Sequence, residues 1–173
     1  MPVAKKLLLA ITAALLVTIM SGCDSKEDTA QNFIQQTAAS SQPDMHKIFR
    51  RQVGDLDIKI TYHYKNDVVL SQTTEDTIPY RVLPAKNIME AKGIMGKISD
   101  AYSKMSGVSQ TVEYKHERAY ENLNIDFTQA NISKLCALKE ISIGMIITDC
   151  SVKYLTMSGV EKFLQEQEFD EVK

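Results

Sequence analysis

The sequence predicts an α+β fold, an antiparallel sheet built from a hairpin and further strands and packed on one face by two or three helices. Three observations predict it. Leu56, Ile58, Ile60, Tyr62 and Tyr64 alternate with polar residues, and a polar turn and a second extended run follow. From Asn87 onward, apolar residues recur at helical spacing. Two more alternating segments and further helical patterns come next, an order that places helices on one side of a sheet.

The chain opens on a secretory pattern. Lys5 and Lys6 form a positive start, Leu7 to Met20 is uncharged and apolar, and Ser21 and Gly22 are small. The apolar run is shorter than the ~20 residues of a membrane-spanning helix. Met20-Ser21-Gly22-Cys23 resembles the lipobox of bacterial lipoproteins, in which a thiol receives the lipid and small residues admit the peptidase. Met20 stands where Leu is usual. The expected processing removes residues 1–22 and leaves a lipidated Cys23 at the mature N-terminus, held by two or more acyl chains. Asp24 resembles the signal that retains a lipoprotein in the inner membrane of enteric Gram-negative bacteria. In a Gram-positive cell the same signal implies cell-surface anchoring. Residues 23–51 are expected to be the lipidated cysteine and a flexible tether. Asp24 to Pro43 is rich in Ser, Thr, Gln and Ala, too poor in apolar surface to offset chain entropy. Asp44 to Arg51 reads as a short helix or an extended lead-in.

One domain is expected over 52–173, since about 150 residues remain after processing. Its first strand is Leu56 to Tyr64, Lys65-Asn66-Asp67 is the turn, and the second strand runs from Val68 to about Tyr80. Asn87 caps the clearest helix, with Glu90 completing a capping-box-like pair. Ile88, Ala91, Ile94, Met95, Ile98, Ala101, Tyr102 and Met105 share its apolar side, Gly107 is its stop, and Gly93 and Gly96 suggest close packing on the sheet. Strands are expected from Val108 to about His116 and from Tyr120 to Phe127, with 117–119 open between a turn and a bulge. Asn131 to Lys139 reads as a short helix, and Ile141 to Ile147 as a strand or a buried connection. Thr156 caps a last helix through Gln167, and Phe169 and Val172 suggest a final short strand.

Several short stretches, in this order, resemble the YehR-like bacterial lipoproteins: Asp57 to Lys65, Val69 to Gln72, Tyr102 to Val108, Tyr120 to Asn122 with Ile125-Asp126, and Phe169 to Lys173. The resemblance spans roughly Val53 to Lys173. It implies a small exported domain without an established activity, and it carries no catalytic residue onto this chain. Cys136 and Cys150 and a longer tether depart from the family pattern.

Composition narrows the function. Net charge is −2, and no Lys/Arg-rich patch is interleaved with aromatics, so nucleic acid is not an expected partner. There is no Trp, which weakens a carbohydrate-stacking surface. Export permits a disulfide between Cys136 and Cys150, but two buried free thiols fit the sequence equally well. His63 and His116 fall in predicted strands. With Asp57 or Glu113 they are weak candidates for a metal site, although surface histidines on the wet side of a sheet fit the pattern better. Met89, Met95 and Met105 read as core rather than a copper site, and Tyr62, Tyr64, Tyr114 and Tyr120 as core or pocket lining. No nucleophile elbow, P-loop or dinucleotide fingerprint is present. The expected protein is a membrane-anchored, non-enzymatic module that binds an envelope protein or a small ligand, with no cofactor beyond the lipid on Cys23. The alternatives are an envelope enzyme whose site is assembled from distant residues, or a metal-binding lipoprotein.

Overall fold

The computed structural model describes residues 26–138 and 142–173. The expected signal (1–22), Cys23, Asp24, Lys139 and Ile141 lie outside them. Six strands, β1 (Met45–Val53), β2 (Leu56–Lys65), β3 (Val68–Pro79), β4 (Val108–Lys115), β5 (Arg118–Asp126) and β6 (Asp170–Val172), form one antiparallel sheet in the order β4-β5-β3-β2-β1-β6. Four helices accompany it: α1 (Lys26–Ala38), α2 (Ile88–Tyr102), α3 (Ile132–Cys136) and α4 (Met157–Glu166). The α+β expectation holds, with α2, α3 and α4 packed on one side of the sheet.

The tether expectation is corrected. Residues 45–53 are a full strand, paired with β2 from Met45↔Tyr64 to Val53↔Leu56 and with β6 from Ile48↔Val172 to Arg50↔Asp170. The folded unit therefore begins well before Gln52. Further upstream, α1 is docked rather than free. Its Ile34 is 2% exposed and packs with Val68 and Leu70, beside Ala38 and Tyr154. Lys65 Nζ donates to Ala38 O at 2.9 Å, a cation at a helix C-terminus.

Local chemistry explains the boundaries. Asn66 and Asp67 both have positive φ, which a two-residue hairpin turn requires, and Gly54 supplies the same conformation between β1 and β2. Asp67 also reaches α4, its carboxylate accepting from Ser158 N and Ser158 Oγ, while Thr156 Oγ1 accepts from Gly159 N. At α2, Asn87 Oδ1 accepts from Met89 N and Glu90 N, and Glu90 reaches back to Lys86 N. That helix ends at Tyr102, before Met105 and Gly107. Gly107, at φ +73°, instead makes the turn into β4, where an added Cβ would lie 2.6 Å from Asp126 O. Gly93 and Gly96 face open space, so the expected close packing there is corrected. Between β4 and β5 the chain makes a turn at His116-Glu117, and Glu117 carries the positive φ.

The main core lies between the inner side of the sheet and the helices. Phe49, Ile60, Tyr62, Val69, Ile78, Leu123 and Ile125 meet Ala91, Met95 and Tyr102 of α2, Leu135 of α3, and Val160 and Leu164 of α4. Met145 and Ile147 of the connection before α4 complete it, so the described part of that stretch, 142–147, is a buried connection and not a strand. Among the described residues, no helix is long and apolar enough to cross a membrane.

Candidate functional site

The inner face of β3 is polar where a core is expected to be apolar. Gln72, Thr74 and Asp76 follow one another at the two-residue period, in phase with Ile78, so all three side chains enter the interior. Asp76 sits directly opposite Glu121 of β5. Asp76 is 3% exposed and Glu121 4%, and no lysine or arginine pairs with either among the described residues.

Two isolated carboxylates cannot both stay charged in such a place. Burial, followed by the charge of Glu121, pushes Asp76 up to about 9. Burial also raises Glu121, opposed by hydrogen bonds from Gln110 and Asp76. Neither oxygen of Asp76 meets a donor other than its acidic neighbour. Two adjacent buried carboxyls with no cation beside them favour one shared proton over two charges.

A polar network surrounds the pair. Gln110 Nε2 donates to Glu121 Oε1, and Ser99 Oγ of α2 donates to Gln110 Oε1. Gln72 Nε2 and Thr74 Oγ1 both donate to Gly144 O, at 2.9 and 2.8 Å. Tyr102 OH bonds Ser142 Oγ, which also accepts from Met145 N. The segment 142–147 is thereby latched over the acid pair. Gly144 is required there, because a Cβ would lie 2.5 Å from Asp76 Oδ2 and 3.0 Å from Thr74 Cγ2. The structure joins Cys136 and Cys150 as a disulfide, with Cα atoms 5.8 Å apart, so both ends of this segment are held.

Among the described residues the opposite side of the sheet carries none of α2, α3 and α4, and α1 packs on β3 at Val68 and Leu70, toward one end of the strand. That side holds a concavity of about 620 Å³. The floor includes the Asp76 and Glu121 positions, whose side chains point the other way. The rim carries Arg50 paired to Asp57 at 2.6 Å, Lys59 paired to Glu75 at 2.7 Å, and Glu113. Lys115 Nζ lies 4.8 Å from the centroid of the Tyr120 ring at its edge.

His63 and His116, the weak metal candidates, are not brought together. His63 lies opposite His46, with ring centroids 6.0 Å apart and Asp44 at 3.9 Å, while His116 stands exposed on the β4–β5 turn. They do not face each other, because β2 and β4 are separated in the sheet by β3 and β5. Among the described residues no group of three His, Cys, Asp or Glu side chains could hold a metal. Of the methionines, Met95 is core, Met89 is exposed and Met105 partly buried. Of the tyrosines, Tyr62 fills the core and Tyr120 lines the concavity.

Sequence reasoning missed the Asp76–Glu121 pair. The signal was available in the phase of each strand. Glu121 shares its phase with Ala119, Leu123 and Ile125, and Asp76 shares its phase with Ile78, so each acid stands on an apolar side.

The family described as a protein of unknown function, DUF1307, matches residues 46–170. The uncharacterized lipoprotein Lin0239 of Listeria innocua is 31% identical over 171 residues, covering 96% of this chain and 98% of the relative. The uncharacterized lipoprotein YehR of Escherichia coli is 27% identical, covering 97% of each chain. The NMR structure of Escherichia coli YehR superposes with a TM-score of 0.64, covering 78% of this chain and 94% of that one. An NMR structure of a Streptococcus pneumoniae TIGR4 protein, 13% identical with a TM-score of 0.51 and 99% of both chains covered, shares the fold.

Proposed function

The chain belongs to the DUF1307 family, and from that premise we propose that it is a lipid-anchored, non-enzymatic binding module of the cell envelope. The names of its relatives support the lipoprotein part, and the Cys23 lipobox supplies the residue that would carry the lipid. One observation carries the binding part: a concavity of about 620 Å³ on the side of the sheet away from α2, α3 and α4, with paired charges at its rim. Opposite charges already set in ion pairs favour a polar protein segment that exchanges those pairs over a nucleic acid, which needs unopposed cations. A photocrosslinking residue at Thr111, inside the concavity, tests this in cells, with one at Lys162 on α4 as control. Specific capture by the first position alone supports the reading. Equal labelling at both positions, or none at Thr111, sinks it.

A second reading, an envelope enzyme, is favoured by the acid pair, since strongly shifted carboxyls gather at catalytic sites. It requires the 142–147 segment to lift and expose Asp76. Amide exchange at Gly144 and Met145 no slower than in the surface turns supports it, and exchange as slow as in β3 opposes it.

A further inference from the structure

The sequence suggests a tether long enough to lift the domain off its membrane, and the fold removes most of that length. Gln31 Nε2 donates to Thr128 O, and Ile34 is buried against β3, so the chain is fixed to the domain from Gln31 onward. Eight steps separate Cys23 from Gln31. Fully extended they reach ~27 Å, and with Lys26 to Gln31 helical the reach falls to about 18 Å. β5 alone spans ~30 Å between the two ends of the sheet. The lipid on Cys23 therefore cannot serve both ends equally.

The end beside Gln31 presents three exposed lysines. Lys153 borders a small hollow with Ala30, Gln31 and Ala130, and Lys104 and Lys134 border the adjoining hollow on the other side of Ala130 and Asn131. All three lysines are exposed, and none forms an ion pair among the described residues. Asp126 on this end accepts from Thr128 and Gln129. We propose that this end of the domain rests on an anionic phospholipid surface, with Lys104, Lys134 and Lys153 against the headgroups. The His116–Glu117 turn then faces away from the membrane. The inference rests on the lipoprotein reading and adds an orientation to it. Each lysine held near an anionic surface strengthens association about fivefold, a bias toward one orientation that acts against the repulsion of Asp24, Glu27 and Asp28 in the lead-in.

The test uses the mature acylated chain in phosphatidylcholine vesicles, with and without phosphatidylglycerol. A fluorescent amino acid is placed at Ser133 or at Glu117, and a quencher is attached to the lipid headgroups. Quenching several-fold stronger at Ser133, enhanced by phosphatidylglycerol and reduced by salt, is the expected result. The triple variant K104E, K134E, K153E loses the dependence on phosphatidylglycerol. Equal quenching at the two positions, or stronger quenching at Glu117, overturns the orientation while leaving the anchor intact. A mass spectrum showing an unacylated Cys23 overturns the anchor itself, and the orientation falls with it.

Discussion

Asp76→Asn is expected to stabilise the protein at neutral pH and to change little in mild acid. The unfolded carboxyl ionises at its ordinary 3.8, whereas burial and then Glu121 push the folded one up to about 9. Between those values the native state keeps a proton that the unfolded chain releases. The contribution of this group to stability is therefore full below pH 3.8, declines as pH rises through the window, and levels off near pH 9. Holding that proton costs ~1.4 kcal/mol per pH unit above 3.8, which reaches about 4 kcal/mol at pH 7 before relaxation of the covering segment. Asparagine keeps the side-chain shape, offers an N–H toward Glu121 and has no proton to hold. A gain of roughly 2–4 kcal/mol at pH 7 should shrink to about 1 kcal/mol near pH 5. Urea unfolding of both proteins at several pH values between 5 and 8 reads the difference. Parallel pH profiles, or a variant less stable than wild type at pH 8, would show that Asp76 is ionised in the native state and that the shared-proton account is wrong.

Three further perturbations probe the same architecture. Replacing Cys136 and Cys150 by Ser opens a short loop and should cost about 3 kcal/mol, with faster amide exchange at Gly144 and Met145; unchanged exchange would mean that the hydrogen bonds to Gly144 O hold the segment alone. Gly144→Ala forces a methyl group against Asp76 Oδ2 and should destabilise by ~1–3 kcal/mol in urea melts, an effect that a fully mobile segment would not show. Ile34→Ala empties the small cluster under α1 and should cost about 2 kcal/mol, near the low end for a buried aliphatic side chain because the cluster is small; limited proteolysis should then cut within α1 first, and a wild-type cleavage pattern would show that the helix is held by other contacts.

How much was legible depended on whether an element buries one clean side. β2, β3, α2 and α4 could be read because Ile58-Ile60-Tyr62, Ala91-Met95-Ile98 and Val160-Leu164 repeat at the period of their backbone, and Asn87 and Thr156 mark the helix starts. β1 was not legible. Only Phe49 along it is fully buried, and its pairing with β2 comes from backbone hydrogen bonds that leave no side-chain pattern. Nor was α1, which is anchored by Ile34 and two polar contacts made far along the chain. The acid pair was half legible: each strand's phase placed one carboxyl on an apolar side, but only pairing the strands set Asp76 opposite Glu121.

By itself the sequence determined the address pattern around Cys23, the order of the hairpin, helices and strands, and the caps that bound them, because these are written in residues close together along the chain. The tertiary structure alone decided that residues 26–53 belong to the fold, that Cys136 meets Cys150, that His63 faces His46 and not His116, and that two acids stand side by side under Gly144. Each of these depends on which strands become neighbours, and that choice is made by burial summed over the whole domain.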